Sequence, residues 1–375
     1  MDTERLVISK EKSSVVHIGN NKKCTQKCPD LKVDESKMEK SENTKYLGNF
    51  ISTKGGTKET IDNRRNKGWG LISKVKAILD EVPLGSHRVE AGLLLRRAML
   101  VNSLLYTMET WSGLSERDVA RLQVVDTAML RAITGGHCKT PVEFHFLESG
   151  SLMLKHILTI NRLMYHHHLV TRDDKETIKK IYKKQKEEKT KGDWFDLLLK
   201  DFEFIGSKLE DDDIKKMPKE EYKKHINEKV RNAAFLEMLQ MKQQHSKIKE
   251  VNYPSFTIQP YLRSKQISNK EKVLLYLLRS KCHSSKLNFR RMHTNNLFCI
   301  FGCNAIKDQT HIFTQCRPVI SQISVTRNLD HNNIFKGEDD QCEIIHIFTK
   351  IEEMRSIMKE QLLPGEADAR TPGDD

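Results

Sequence analysis

At 375 residues, 37% of them hydrophobic and 31% charged, the chain can bury a real core but a lean one, so several helical layers are expected rather than one massive body. Its 64 Lys and Arg against 51 Asp and Glu leave a formal charge of +13, which makes a polyphosphate the first partner to consider, the alternative being a solvated helical surface. No stretch approaches the roughly 20 apolar residues of a membrane span, no signal-peptide centre opens the chain, and eight cysteines in this length do not read as a disulfide framework, so the expectation is an intracellular protein, nuclear or cytoplasmic, with no membrane partner.

The first predicted strand is Ser13-Ser14-Val15-Val16-His17-Ile18, preceded by Val7-Ile8 and ended by the turn signal Gly19-Asn20. Lys45 to Thr53 alternates like a second strand with a bend at Gly48, closed by Gly55-Gly56. Two or three strands cannot bury a face alone, so residues 1–56 are expected to lean on something else. From Thr57 the period becomes helical. Ile61, Gly68, Ile72, Val75 and Leu79 share one face, and Pro83 with Gly85 stops the run.

A second helix is predicted from His87 to Met108, with Leu93, Leu94, Arg97, Val101, Leu104 and Leu105 on its apolar face. A third starts on the capping-box-like Ser115-x-x-Asp118, carries Val119, Leu122, Val125, Met129, Leu130 and Ile133, and ends at Gly135-Gly136. Residues 57–136 thus read as a helical bundle. Residues 137–280 read as a helical linker region: a helix near Leu152 to Val170, a Lys/Glu run from Lys175 to Lys191 that is a solvated helix or a linker, an apolar helix opened by Gly192-Asp193-Trp194, a long basic helix from Glu220 to Gln244, and a helix from Asn269 to Arg279. Residues 281–320 hold a basic segment and a cysteine cluster, 321–363 a C-terminal helical segment, and 364–375 a disordered tail. The fold class expected is mainly α with a small β region at the N-terminus.

The strongest chemical signal is Cys299-x-x-x-Cys303, seven residues, His311, four residues, Cys316. Zinc takes four soft or borderline ligands in a tetrahedron, and a short turn offers two thiolates from one side. Gly302 allows that turn, His311 and Cys316 lie about one helical turn apart, and Phe298, Phe301 and Phe313 are placed to pack around the site. With four protein ligands the zinc is structural; the competing reading is buried cysteines beside a surface histidine. Cys24 and Cys28 share the short spacing, with only His17 and Cys138 to add through the fold. His166-His167-His168 points three ways round a helix, which suits interhelical contacts, and Asp211-Asp212-Asp213 suits an exposed acidic turn better than a Mg²⁺ site. Before the cluster, Lys281, Lys286, Arg290 and Arg291 surround Phe289, the mixture that holds a nucleic-acid backbone and stacks a base; otherwise Phe289 is core and the cations face water.

The order of these features resembles the C-terminal part of the reverse transcriptases encoded by non-LTR (LINE-type) retrotransposons. Lys12-Ser13 before an apolar strand and Gly19 resembles the lysine-bearing strand of the palm. Tyr46-Leu47-Gly48 resembles the primer-grip hairpin, and the helices carrying Leu104-Leu105-Tyr106 and Glu109-Thr110-Trp111 resemble the thumb. Gly192-Asp193-Trp194, Tyr261-Leu262-Arg263-Ser264, Leu278-Arg279-Ser280 and Asn288-Phe289 resemble the linker and the approach to a terminal Cys-Cys-His-Cys zinc knuckle.

The resemblance implies a palm-end remnant over 1–56, a thumb-like bundle, a helical linker and a knuckle. It implies contact with RNA or DNA through Lys12, Tyr46, Gly48, Lys281, Lys286, Phe289, Arg290 and Arg291, and structural Zn²⁺ on Cys299, Cys303, His311 and Cys316. An intact enzyme of this family also needs paired aspartates in a strand-turn-strand context to hold Mg²⁺. Asp173-Asp174, Asp211-Asp212-Asp213 and Asp339-Asp340 do not sit in one. The expectation is a truncated fragment that binds RNA or primer–template without polymerising DNA, with no catalytic residue and no small-molecule substrate. A host-adopted protein-interaction module and a functionless relic or partial gene are the alternatives, and the oligomeric state is left open.

Overall fold

A computed structural model describes residues 13–18, 30–33, 36–46, 48–53, 56–81, 87–207, 210–282, 299, 301–303, 305, 311–323 and 341–362. Among the described residues the protein is mostly helical, with short strands confined to the N-terminal region. The strands are β1 (Ser14–Val15), β2 (Lys32–Val33), β3 (Ser36–Lys37), β4 (Glu39–Lys40), β5 (Asn43–Tyr46) and β6 (Asn49–Ser52). The helices are α1 (Lys58–Glu81), α2 (Arg88–Leu95), α3 (Asn102–Leu105), α4 (Glu116–Thr134), α5 (Val142–Ser149), α6 (Leu154–Val170), α7 (Thr177–Glu188), α8 (Trp194–Phe204), α9 (Asp211–Lys216), α10 (Lys219–Gln243), α11 (Pro260–Arg263), α12 (Asn269–Arg279), α13 (Arg317–Ile323) and α14 (Gln341–Leu362). They gather into two compact units, one of residues 1–71, 101–125 and 158–223, the other of 72–100, 126–157 and 224–375. No helix among the described residues is long and apolar enough to cross a membrane.

In the first unit β1 pairs in parallel with β4, β2 antiparallel with β3, and β5 antiparallel with β6. Gly48 turns the chain between β5 and β6, the hairpin expected at Tyr46-Leu47-Gly48. It does not bend a single strand but sits in the turn of a tight hairpin in which Tyr46 pairs with Asn49. Its φ of +85° is the reason for glycine there, since a Cβ would meet no atom within 4 Å. The hairpin is pinned by Arg64 of α1, whose buried guanidinium donates to Asn49 Oδ1 at 2.5 Å, to the Leu104 carbonyl at 2.9 Å and to the Tyr106 carbonyl at 2.6 Å, and lies 4.8 Å over the Trp111 ring. Ser115 and Asp118 cap α4 reciprocally, as the sequence predicts: Ser115 Oγ accepts from the Asp118 N–H at 3.2 Å, and Asp118 Oδ2 accepts from the Ser115 N–H at 3.3 Å. The Lys/Glu run forms α7, and its one aromatic, Tyr182, is buried rather than solvated. Asp193 caps α8 by accepting from the Asp196 N–H at 2.8 Å.

In the second unit the predicted helix from His87 is interrupted by a π-helical stretch, Arg96–Val101. A π turn inserts a residue into the helical count. The buried positions leading into it are Gly92 and, at its first residue, Arg96, one residue ahead of the Leu93 and Arg97 that an unbroken period selects, and Leu94 is 70% exposed. Arg96 forms a buried bidentate pair with Asp126, at 2.6 and 2.7 Å, and donates to the Leu152 carbonyl at 3.0 Å. Helix α5 was not read from the sequence; Gly150, at φ +58°, ends it, with the Ser151 N–H reaching back to the Phe146 carbonyl. Around it lies the polar core. Glu148, fully buried, accepts from Tyr253 Oη at 2.8 Å, Tyr261 Oη at 2.6 Å and the Arg279 guanidinium at 2.9 and 3.1 Å.

One helical turn earlier, buried His145 meets Tyr276 Oη through Nδ1 at 2.5 Å and accepts from Arg131 Nε through Nε2 at 3.3 Å. Burial first, and then Arg131, pull its pKa down to about 3. The folded state therefore holds His145 neutral while the unfolded chain protonates it below its ordinary value, so this contribution to stability is lost as pH falls from about 6.5 toward 3. We expect the urea midpoint to drop between about pH 7 and about pH 5, and His145→Gln to flatten that drop. An unchanged pH dependence in the variant would contradict this assignment.

Candidate metal centre

The C-terminal part of the second unit brings Cys299, Cys303, His311 and Cys316 together, with one ligand atom from each lying within 4.8 Å of the others. The Cys299–Cys303 turn closes through the Gly302 N–H on the Cys299 carbonyl at 3.2 Å, and Gly302 has φ +79°. Open space surrounds the place of its missing Cβ, so its backbone angle rather than crowding requires glycine. The Cys299 N–H reaches the Ala305 carbonyl at 3.0 Å and folds the chain back on itself.

His311 and Cys316 need a different device. Five residues apart on an α-helix, they would point about 140° away from each other. Residues His311–Gln315 instead form a π-helical turn, closed by the Cys316 N–H on the His311 carbonyl at 2.7 Å, which brings both side chains to one side. Helix α13 continues directly from it, and α12 and α13 both pack on α14, whose Ile344, Ile345, Phe348 and Ile351 are buried.

The donor set fits zinc. Cys316 Sγ lies 3.7 Å from Cys299 Sγ and 3.7 Å from Cys303 Sγ. Zn–S bonds of about 2.3 Å in a tetrahedron place two sulfurs about 3.8 Å apart, and all three thiols are free. Cys299, His311 and Cys316 are buried, with Cys303 at the edge, and buried Ile312, Val319 and Phe301 exclude water. Burial, then the neighbouring thiols, push the Cys316 thiol up to about 12. Thiolates at this spacing repel one another unless a cation compensates them, and a metal ion binds cysteine as the thiolate, displacing a proton. Four protein donors leave no open position, so the chemistry is structural.

The remaining site residues fall out unevenly. Lys281 does not offer a free charge: it is buried, and its Nζ meets Glu250 Oε2 at 2.5 Å. Tyr46 is 63% exposed beside the hairpin turn that holds Gly48. Lys12, Lys286, Phe289, Arg290, Arg291, the pair Cys24 and Cys28, Phe298 and Asp339-Asp340 lie outside the described residues, as does the tail from 364. Cys138 is exposed beside His137, and among the described residues no group of three or more metal-ligating side chains forms apart from the cluster above.

One carboxylate of each described acidic motif is engaged by the chain itself. Asp174 pairs with Lys183 at 2.9 Å, and Asp211 accepts from Tyr182 and Lys186. The histidine triplet makes the interhelical contacts its spacing suggests: His166 reaches Tyr182 at 3.0 Å, and His167 reaches the Met217 carbonyl at 3.0 Å. Sequence reasoning missed the Glu148 cluster and the Tyr182–Asp211 contact. A lone tyrosine within a Lys/Glu run was the available signal for the second. No family model matches this chain, and no curated protein and no solved structure matches it.

Proposed function

We propose that the chain is a zinc-stabilised nucleic-acid-binding protein of the type found in the C-terminal part of non-LTR retrotransposon reverse transcriptases, positioning RNA or primer–template without transforming it. The observation that carries this reading is the closed Cys3His centre, immediately preceded in sequence by Lys286, Phe289, Arg290 and Arg291. Cations around an aromatic at that place in the sequence are the mixture that holds a nucleic-acid backbone and stacks a base. The net charge of +13 and the exposed Tyr46 agree with it. Asp174 and Asp211 are each held by lysine, and no catalytic residue is assigned.

Binding to a short single-stranded RNA or DNA tests the reading. About five phosphate contacts predict a loss of affinity of about 100-fold between about 50 and about 200 mM salt. Arg290→Glu with Arg291→Glu should weaken binding and flatten that slope while zinc content stays at one per chain. Affinity that ignores salt, or no binding in the zinc-loaded protein, would sink the proposal.

A further inference from the structure

The first unit contains a cavity that nucleic acid does not explain. Its volume is about 810 Å³, within the range of sites that hold small organic molecules. One wall is the apolar face of α8, where Phe195, Leu198 and Phe202 recur at helical spacing and Leu199 extends the wall toward solvent. The opposite end is polar and belongs to α7, the start of α9 and the turn between α8 and α9.

The charges at that end are unequal. Asp211 accepts from Tyr182 Oη at 2.9 Å and from Lys186 Nζ at 2.7 Å, and lies 3.3 Å from His166 Nε2. Burial acts to raise its pKa, but the bonds from His166, Lys186 and Tyr182 outweigh it and hold the carboxyl well below the ordinary range. Lys186 is thus committed to Asp211, and His166 stays neutral because burial lowers its pKa. Glu203 and Glu210 also line the cavity, both are exposed, and neither has an ion-pair partner among the described residues. Among the described lining residues three carboxylates therefore face one ammonium, and exposed Asp212 and Asp213 stand next in sequence, with Lys215 and Lys216 at the far end of the same short helix. This is a negative rim on a chain of +13. It repels polyphosphate and attracts cations, while the wall behind it favours an apolar body.

We propose that this cavity binds an amphipathic amine, its aromatic or aliphatic body against Phe195, Leu198 and Phe202 and its ammonium toward Glu203 and Glu210. The site is independent of the nucleic-acid reading and survives its failure. Titration of the full chain with 4-phenylbutylamine, followed by calorimetry, is the test, with 4-phenylbutyrate as the charge-reversed probe and 4-phenylbutanol as the neutral one.

The expected result is saturable one-to-one binding of the amine, at least tenfold tighter than the carboxylate. Glu203→Gln with Glu210→Gln should bring the amine down to the affinity of the alcohol, a loss of fivefold or more. Leu199→Lys, which sets a competing ammonium on the wall at an exposed position, should weaken the amine by a similar factor. Circular dichroism melting confirms that the variants fold, and both sets of changes fall on exposed residues. Equal affinity for amine and carboxylate, no saturation by the amine, or unchanged binding in the folded Glu203→Gln/Glu210→Gln variant would overturn the proposal.

Discussion

Replacing Cys316 by Ser is expected to abolish stoichiometric zinc. Metal analysis of the protein purified with zinc should give about one ion per chain, and of the variant close to none. Cys316 is the decisive ligand because both 3.7 Å sulfur–sulfur edges meet at it, it is fully buried, and its own N–H closes the π turn that presents His311. A hydroxyl there replaces a soft thiolate with a poor ligand and leaves a buried polar atom. Cys303→Ser, at the exposed edge of the site, should also lose the ion. Structural zinc sites of this kind bind with about 10–16 kcal/mol of apparent free energy near neutral pH. Chelation should therefore raise amide exchange across 311–323 while α4 and α8 keep their protection. Cobalt substitution should give the visible absorption of a tetrahedral thiolate site in the parent chain and not in the variant. Retention of a full equivalent of zinc by folded Cys316→Ser would show that the ligand set is wrong.

How much of this was legible in advance depended on whether the information was local. The metal centre was read from spacing, because two thiolates on a glycine turn and a nearby His/Cys pair are short-range constraints. Helix α12 was placed to the residue, and its Ser268/Glu271 capping box shows why: the start signal lies within three positions. The helix from Arg88 was placed, and Val101, Leu104 and Leu105 of its expected face are buried, but the first half of that face was not, since nothing local announces the π turn at Arg96–Val101 that shifts it by one residue. That turn is legible only through its consequence, a buried Arg96 paired with an Asp126 thirty positions away. The second π turn, at His311–Gln315, was hidden by the same rule, although the residues it joins were not. Tyr46 and Gly48 were chosen from sequence; the hairpin that presents them depends on Arg64, which periodicity marks only as a polar position in α1.

The least legible feature has the largest expected effect on stability. Glu148→Gln should destabilise the second unit by about 3–5 kcal/mol, because it removes one partner of a buried ion pair and strands the other. Arg279 is almost fully buried; burial alone would lower its pKa, and the Glu148 charge more than offsets this. The carboxylate also accepts hydrogen bonds from the hydroxyls of Tyr253 and Tyr261, whose ionisation burial and Glu148 together suppress. A glutamine cannot accept four bonds on two oxygens, and its amide would aim protons at groups that are themselves donors. The hub draws together residues 105, 113 and 131 positions apart from Glu148, which is why no window of sequence displays it. It also anchors the end of α12, the helix that packs with α14, on which α13 of the metal centre rests. Urea unfolding followed by amide exchange in α12 measures the effect. A shift below about 1 kcal/mol would show the pair to be dispensable. Glu148→Leu combined with Arg279→Met, Tyr253→Phe and Tyr261→Phe, which removes both charges and the two hydroxyls that Glu148 holds, should recover most of the loss, because the cost lies in the stranded groups rather than in the absence of the bridge.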